Sequence, residues 1–261
     1  MNRAEHVRCL FTDIDDTLST DGKITSEAYS ALWRVHDAGI AVVPVTGRPA
    51  GWCDHIARMW PVDGVIGENG GFYFRMTDDG MSRVFLYDAE ERAEFRSRLE
   101  LIKRELLREV PGCGIASDQS YREYDLAIDF REDVPPLPAH LIQRIVDIFE
   151  SHGATAKVSS IHVNGWFGAF DKLTMAKQYA QDVLGISPED NNQAFAFCGD
   201  SPNDEPMFAF FDNSFGVANV SDFLGQMTHH PAFITTKRGG AGFAEAVDAI
   251  LGAPRIKESN S

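Results

Sequence analysis

Three carboxylates fall within four positions directly after an apolar run, in Phe11-Thr12-Asp13-Ile14-Asp15-Asp16-Thr17-Leu18. At the carboxyl end of a strand in an open α/β sheet, such side chains face the crevice in which ligands bind. Neighbouring carboxylates raise one another's pKa, so crowding them is costly unless a cation shares them. A hard divalent ion such as Mg2+, which takes carboxylates, waters and phosphate oxygens, removes that cost. For this one motif an Asp-rich turn after a strand is an equal alternative.

Three further segments bear on the choice. Val42-Val43-Pro44-Val45-Thr46-Gly47-Arg48 ends a second apolar run in a hydroxyl and a glycine whose backbone amides can cradle an anion. Phe170-Asp171-Lys172 sets a lysine at the start of a helical pattern. Phe195-Ala196-Phe197-Cys198-Gly199-Asp200-Ser201-Pro202-Asn203-Asp204 is a strand running into Gly-Asp, with Ser201 as N-cap and Pro202 at the first helical position. Asp200 and Asp204, four apart across that cap, can both point back at the strand ends. Singly these are a turn, a solvated cation and a capped helix start. All four segments, however, are expected at the carboxyl ends of successive parallel strands or at adjacent helix starts. Acids for a metal, a hydroxyl and amides for phosphate oxygens, and a nearby cation are what phosphoryl transfer through an anionic transition state requires.

The elements that must position these groups alternate. Residues 7–13 read as a strand, and 25–39 as a helix with Ala28, Leu32 and Val35 on one face and Gly39 as its stop. The pattern continues through strand 40–45, helix 51–60 and strand 64–66. It resumes with helix 173–184, strand 194–198, helix 202–211, strands 214–217 and 232–236, and a last helix over 243–251. Such alternation predicts an α/β, Rossmann-like core, a parallel sheet with helices on both faces. Between about 86 and 168 the pattern changes. A long helix carrying Phe95, Leu99, Ile102 and Leu106 precedes an alternating strand at 126–130. A second helix with Leu141, Ile145, Ile148 and Phe149 precedes a strand-like run at 155–163. This is an inserted α+β domain of αββαββ type, with the Pro-rich run 134–138 as an internal connector. The expected division is a core of residues 1–85 and 169–261 and a cap of 86–168, with a disordered polar tail at 255–261.

The chain has 261 residues, with 24 Lys+Arg against 39 Asp+Glu, a formal charge of −15. That balance argues against nucleic acid or an anionic membrane held by a broad basic face. The first apolar run is too short for a signal peptide, and no stretch approaches the ~18 apolar residues of a membrane span. Cys9, Cys53, Cys113 and Cys198 have neither CxxC nor metal spacing and read as reduced, mostly buried thiols of a cytoplasmic protein.

Taken together, Asp13-Ile14-Asp15-Asp16-Thr17, Val45-Thr46-Gly47-Arg48, Lys172 and Gly199-Asp200-Ser201-Pro202-Asn203-Asp204 resemble, in order, the four motifs of the haloacid dehalogenase superfamily. Gly67-Glu68-Asn69-Gly70-Gly71 and the αββαββ insert resemble its subclass IIB, which includes Cof-type sugar phosphatases, sucrose-phosphate phosphatase and the phosphomannomutases. Two departures are a proline, Pro44, within the second strand and a short cap. The resemblance implies Mg2+-dependent hydrolysis of a small phosphate ester, such as a sugar phosphate, through an aspartyl-phosphate. Asp13 is then the nucleophile and Asp15 the general acid and base. Asp13, Asp15 through its backbone carbonyl, and Asp200 hold the metal, with Asp204 a ligand or an orienter. Thr46, Gly47 and Lys172 hold the phosphoryl group, helped by Asn203. Arg48 has two readings, substrate contact or structural ion pair. Asp16 completes the turn, and Thr17 braces the loop or Asp15. His162, Asn164 and Trp166 are candidates for an exposed specificity edge, against a packing role.

Two alternatives stand beside this reading. A phosphomannomutase-like enzyme would carry the same motifs and return the phosphoryl group to the sugar. A non-catalytic phospho-aspartyl receiver would share the acids, Thr and Lys, but has no use for a second carboxylate two residues after the nucleophile. The expected assembly is a monomer or homodimer.

Overall fold

Strands Cys9–Thr12 and Phe195–Gly199 are buried at every position, the continuous apolar pattern of strands covered on both faces. The computed structural model describes residues 6–159 and 161–252. The tail at 255–261, expected to be disordered, lies outside the described residues. The chain divides into two compact units, one of Met1–Val45, Trp60–Gly64 and Ala176–Ser261, the other of Thr46–Met59 and Val65–Met175.

The first unit is built on a parallel sheet ordered Phe233–Ile234, Asn213–Gly216, Phe195–Gly199, Cys9–Thr12 and Ala41–Pro44. Thr12 lies opposite both Cys198 and Pro44, so the carboxyl ends of these strands are level. Pro44 is tolerated because Ala41–Pro44 is the edge strand, on which a proline loses no ladder bond if its nitrogen faces outward. The phase agrees: Val42 N–H, two residues earlier, donates away from the sheet to Asp63 Oδ2, and Val45 N–H donates inward to Thr12 O. Helix Ser26–Asp37 buries Ala28, Ala31, Leu32 and Val35, is capped by Thr25, and ends before Gly39 at φ 74°. Among the described residues, no helix is long and apolar enough to cross a membrane.

In the second unit, one expectation needs correction. The run at 64–66, expected to continue the parallel alternation, forms Val65–Gly67 in an antiparallel three-stranded sheet with Phe72–Thr77 and Gly80–Phe85. The turn Asp78-Asp79-Gly80 was the available sign of this hairpin. The rest of the unit has the expected α+β pattern. Helices Ala89–Glu109 and Ala139–Ser151 accompany a sheet ordered Thr155–Val158, His162–Trp166, Leu126–Asp129 and Gly114–Ile115. Leu99, Ile102, Leu106, Ile145, Ile148 and Phe149 pack with Leu126, Ile128 and Val163 in one apolar cluster. Two details differ. The run at 155–163 is a hairpin rather than one strand, and Leu126–Asp129 is buried throughout rather than alternating. Asp129 tolerates burial because its carboxylate accepts the N–H groups of Arg131, Glu132 and Asp133.

Candidate active site

In the first unit, parallel pairing places Asp13 and Asp200 side by side, each one position beyond its strand, and Asp13 N–H donates to Cys198 O at 2.8 Å. Ser201 begins a short helical turn, and Asp204 reaches back across it so that its Oδ2 accepts from Asp200 N–H at 3.1 Å and Ser201 N–H at 3.4 Å. A Cβ at Gly199 would sit 2.5 Å from that oxygen, so this approach requires glycine. Carboxylate oxygens of Asp13, Asp200 and Asp204 all lie within 4.8 Å of one another, and all three residues are buried. The Cys198 thiol registers their field. Burial first, then Asp204, Asp200 and Asp13, push its pKa well above the usual value.

Neutral donors orient the acids. Thr17 Oγ1 donates to Asp200 Oδ1 at 3.3 Å, so Thr17 braces Asp200 as well as lying in the Asp-rich loop. Asn219 Nδ2 donates to Asp200 Oδ2 at 3.2 Å and to Asp16 O at 2.8 Å, and its Oδ1 accepts from Gly239 N–H. Sequence reading missed Asn219, although it follows strand Asn213–Gly216 and so obeys the strand-end rule that located Asp13 and Asp200. Asp16 completes the turn at φ 59°, a left-handed conformation that Asp tolerates better than most residues. The half-buried Asp15 carboxylate is outside the acidic trio. Asn203 Oδ1 accepts from Ser201 Oγ at 2.7 Å.

In the second unit, residues 67–71 bring the remaining candidates together. Asn69 N–H donates to Thr46 O, and a Cβ at Gly47 would meet the Asn69 side chain at 3.3 Å. One residue on, a Cβ at Gly70 would lie 2.1 Å from Asp171 O, immediately before the buried Lys172 that opens helix Lys172–Tyr179. Glu68 and Asn69 hold φ values of 45° and 57°, strained for non-glycine residues, to make both approaches. The strain is offset by hydrogen bonds, because the fully buried Glu68 carboxylate accepts from the N–H groups of Ala50, Glu123, Tyr124 and Asp125. Burial first, then Asp125, push its pKa up to about 8, against Arg122 and the backbone donors. Arg122 binds Asp118 and Asp125 and donates to Gly47 O at 3.0 Å.

Comparison with known proteins adds to this geometry. Residues 10–95 match the model of a family described as haloacid dehalogenase-like hydrolase. A phosphoglycolate phosphatase of Methanoculleus marisnigri is 27% identical over 249 residues, 92% of this chain and 95% of that protein. A Thermoplasma acidophilum protein of known structure superposes with a TM-score of 0.73 at 18% identity, over 94% of this chain and 98% of its own. The sucrose-phosphatase of Synechocystis sp. PCC6803, solved with sucrose and phosphate, superposes with a TM-score of 0.66 at 16% identity, again over 94% and 98%. Over residues 10–95 the chain is thus similar to the haloacid dehalogenase-like hydrolases.

The acidic trio could hold a cation. Its donors are carboxylate oxygens, with neither thiolate nor imidazole among them, which suits a hard ion such as Mg2+. Arg48, left with two readings by the sequence, makes ion pairs, at 3.9 Å to Asp118 and 3.6 Å to Glu132, and lies 4.5 Å over the Trp52 ring. Of the two roles weighed for His162, Asn164 and Trp166, burial of all three agrees with packing rather than an exposed edge. Asn164 donates to Asp125 Oδ2 at 2.7 Å, and Trp166 stacks on Phe170. Through Asn164 this strand meets the polar segment in which Arg122 binds Asp118 and Asp125.

Proposed function

We propose that this chain is a phosphatase of the haloacid dehalogenase-like kind that hydrolyses a small phosphate monoester, a sugar phosphate, by transferring the phosphoryl group to Asp13. The observation that carries this reading is the convergence of Asp13, Asp200 and Asp204 within 4.8 Å at the ends of adjacent parallel strands. Mg2+ bound there would neutralise the acids and stabilise charge on the transferring oxygens. Asp13 attacks phosphorus and forms an acyl phosphate, which divides one difficult displacement into two easier ones. Asp15 gives a proton to the departing alcohol oxygen and then takes one from the water that opens the acyl phosphate. Thr46, the Gly47 amide and Lys172 bind the phosphoryl oxygens, and Asn203 assists. Asp15 would add its backbone carbonyl to the metal set, while Thr17 and Asn219 hold Asp200 in place. Residues 86–168 are assigned as a cap domain that sets substrate specificity.

The test is phosphate release from a panel of monoesters with Mg2+ or excess chelator, for the wild type and for Asp13→Asn. Metal-dependent release that Asp13→Asn abolishes supports the proposal. Full activity in Asp13→Asn overturns it, an isomerised sugar phosphate in place of free phosphate points to a mutase, and an acyl phosphate that persists for minutes points to a receiver.

A further inference from the structure

A cavity of about 310 Å³ opens in the first unit at the amino-terminal end of the parallel sheet, and Arg8, His36, Ile40, Asp63, Leu184 and Ile186 are among its walls. Arg8 immediately precedes strand Cys9–Thr12, and Ile40 immediately precedes strand Ala41–Pro44. Asp13 follows the opposite end of the first of these strands, about 13 Å of extended chain away. The cavity is therefore separate from the acidic trio and has no part in the reaction above.

Its polar groups stand on fixed backbone. Arg8 N–H donates to Ala194 O at 2.7 Å, and Arg8 O accepts from Ala41 N–H at 2.9 Å. In this unit Arg34 binds Asp248 and Arg238 binds Asp222, whereas Arg8 has no ion pair among the described residues, in a chain of net charge −15. Asp63 is held by Val42, whose N–H donates to Asp63 Oδ2 at 2.8 Å and whose O accepts from Asp63 N–H at 2.9 Å. Tyr179 OH donates to Asp63 O at 2.9 Å. His36 Nδ1 lies 3.8 Å from Asp63 Oδ2, and Trp33 meets the imidazole edge-on. The remaining wall is apolar. Leu184 ends a π-helical turn, a distortion frequent at functional sites, and Gly185 at φ 65° turns the chain so that Ile186 joins Leu184 along the cavity.

The charges decide what such a cavity accepts. Arg8 and Asp63 line it together without pairing with each other, which leaves room for a ligand between them. Asp63 repels a phosphate dianion and Arg8 repels a simple amine, whereas a zwitterion satisfies both. The volume is at the small end of ligand sites, and Ile40, Leu184 and Ile186 offer it apolar surface. We propose that this cavity binds a free α-amino acid with an apolar side chain, its carboxylate on Arg8, its ammonium on Asp63 and its side chain against Ile40, Leu184 and Ile186.

Methyl NMR of the full chain, titrated with leucine, tests this. Saturable shifts are expected at the methyl groups of Ile40, Leu184 and Ile186. Glycine lacks the side chain and is expected to bind about tenfold more weakly or worse. The same loss is expected for 4-methylpentanoate and 3-methylbutylamine, each of which lacks one of the two charges. Arg8→Gln and Asp63→Asn are each expected to weaken leucine binding about tenfold. Absence of any saturable shift with leucine, an analogue that binds as tightly as leucine, or a leucine affinity unchanged in both variants overturns the proposal. The readout is binding, so a failure of the phosphatase reading would leave this one standing.

Discussion

Buried carboxylates occur in both units, and what they converge on differs. In the first, Asp13, Asp200 and Asp204 converge on one another, steadied by the neutral donors Thr17 and Asn219. In the second, Asp118 and Asp125 converge on the guanidinium of Arg122, and Glu68 on a run of backbone amides. Acids that face a fixed cation or amides hold a shape. Acids gathered on a common point leave a place where a mobile cation is favoured. On the proposed reading the first arrangement serves chemistry and the second holds a shape, and each can be disturbed separately.

The largest effect is expected at the proposed nucleophile. Asp13→Asn is expected to lower kcat for p-nitrophenyl phosphate by about a thousandfold or more, with little change in the urea midpoint. On the scaffold side, Arg122→Met leaves Asp118 and Asp125 buried without their guanidinium, and about 3–5 kcal/mol of stability is expected to be lost in urea denaturation. If both variants lost stability equally, the distinction between the two sets of acids would fail. Thr17→Val and Asn219→Ala, which loosen Asp200, are each expected to weaken apparent Mg2+ affinity roughly 10–100-fold, read from the metal dependence of turnover.

The smallest effect concerns Glu68. Its folded-state pKa is raised from 4.5 to about 8, so the folded state holds a proton that the unfolded chain releases. That contribution is complete below the unfolded pKa and is lost as pH rises through the folded one. Between about pH 5 and 8, stability is expected to fall by on the order of 1 kcal/mol per pH unit from this group. Glu68→Gln is expected to be less stable throughout, because it puts an amide N–H against backbone donors, and to have a flatter pH slope. Urea midpoints at pH 5, 6.5 and 8 check this, and an unchanged slope would assign the pH dependence to other groups.

The sequence disclosed features that rest on local pattern. The apolar runs ending in Asp13 and Gly199-Asp200, the Thr25 cap with Ala28, Leu32 and Val35, and the helix spacing of Leu99, Ile102 and Leu106 are each written within a few residues. Long-range features were less legible. Arg122 and Gly47 meet across 75 residues and Thr17 and Asp200 across 183, and no local period marks such pairs. The burial of His162, Asn164 and Trp166 has the same origin. Strand alternation gives two faces, but whether the second is wet depends on a segment some forty residues upstream, where Asp125 meets Asn164. Val65–Gly67 was assigned to the wrong sheet because a three-residue apolar run does not encode its partner.

The central claim is that Asp13, Asp200 and Asp204 form the cation site on which turnover depends. A Mg2+ titration of chelator-stripped protein, followed by phosphate release from p-nitrophenyl phosphate, tests it most directly in the wild type and Asp200→Asn. The account predicts no turnover without metal, saturable recovery in the wild type, and a midpoint at least about tenfold higher in Asp200→Asn. Full turnover in excess chelator, or the same midpoint in both proteins, would contradict it.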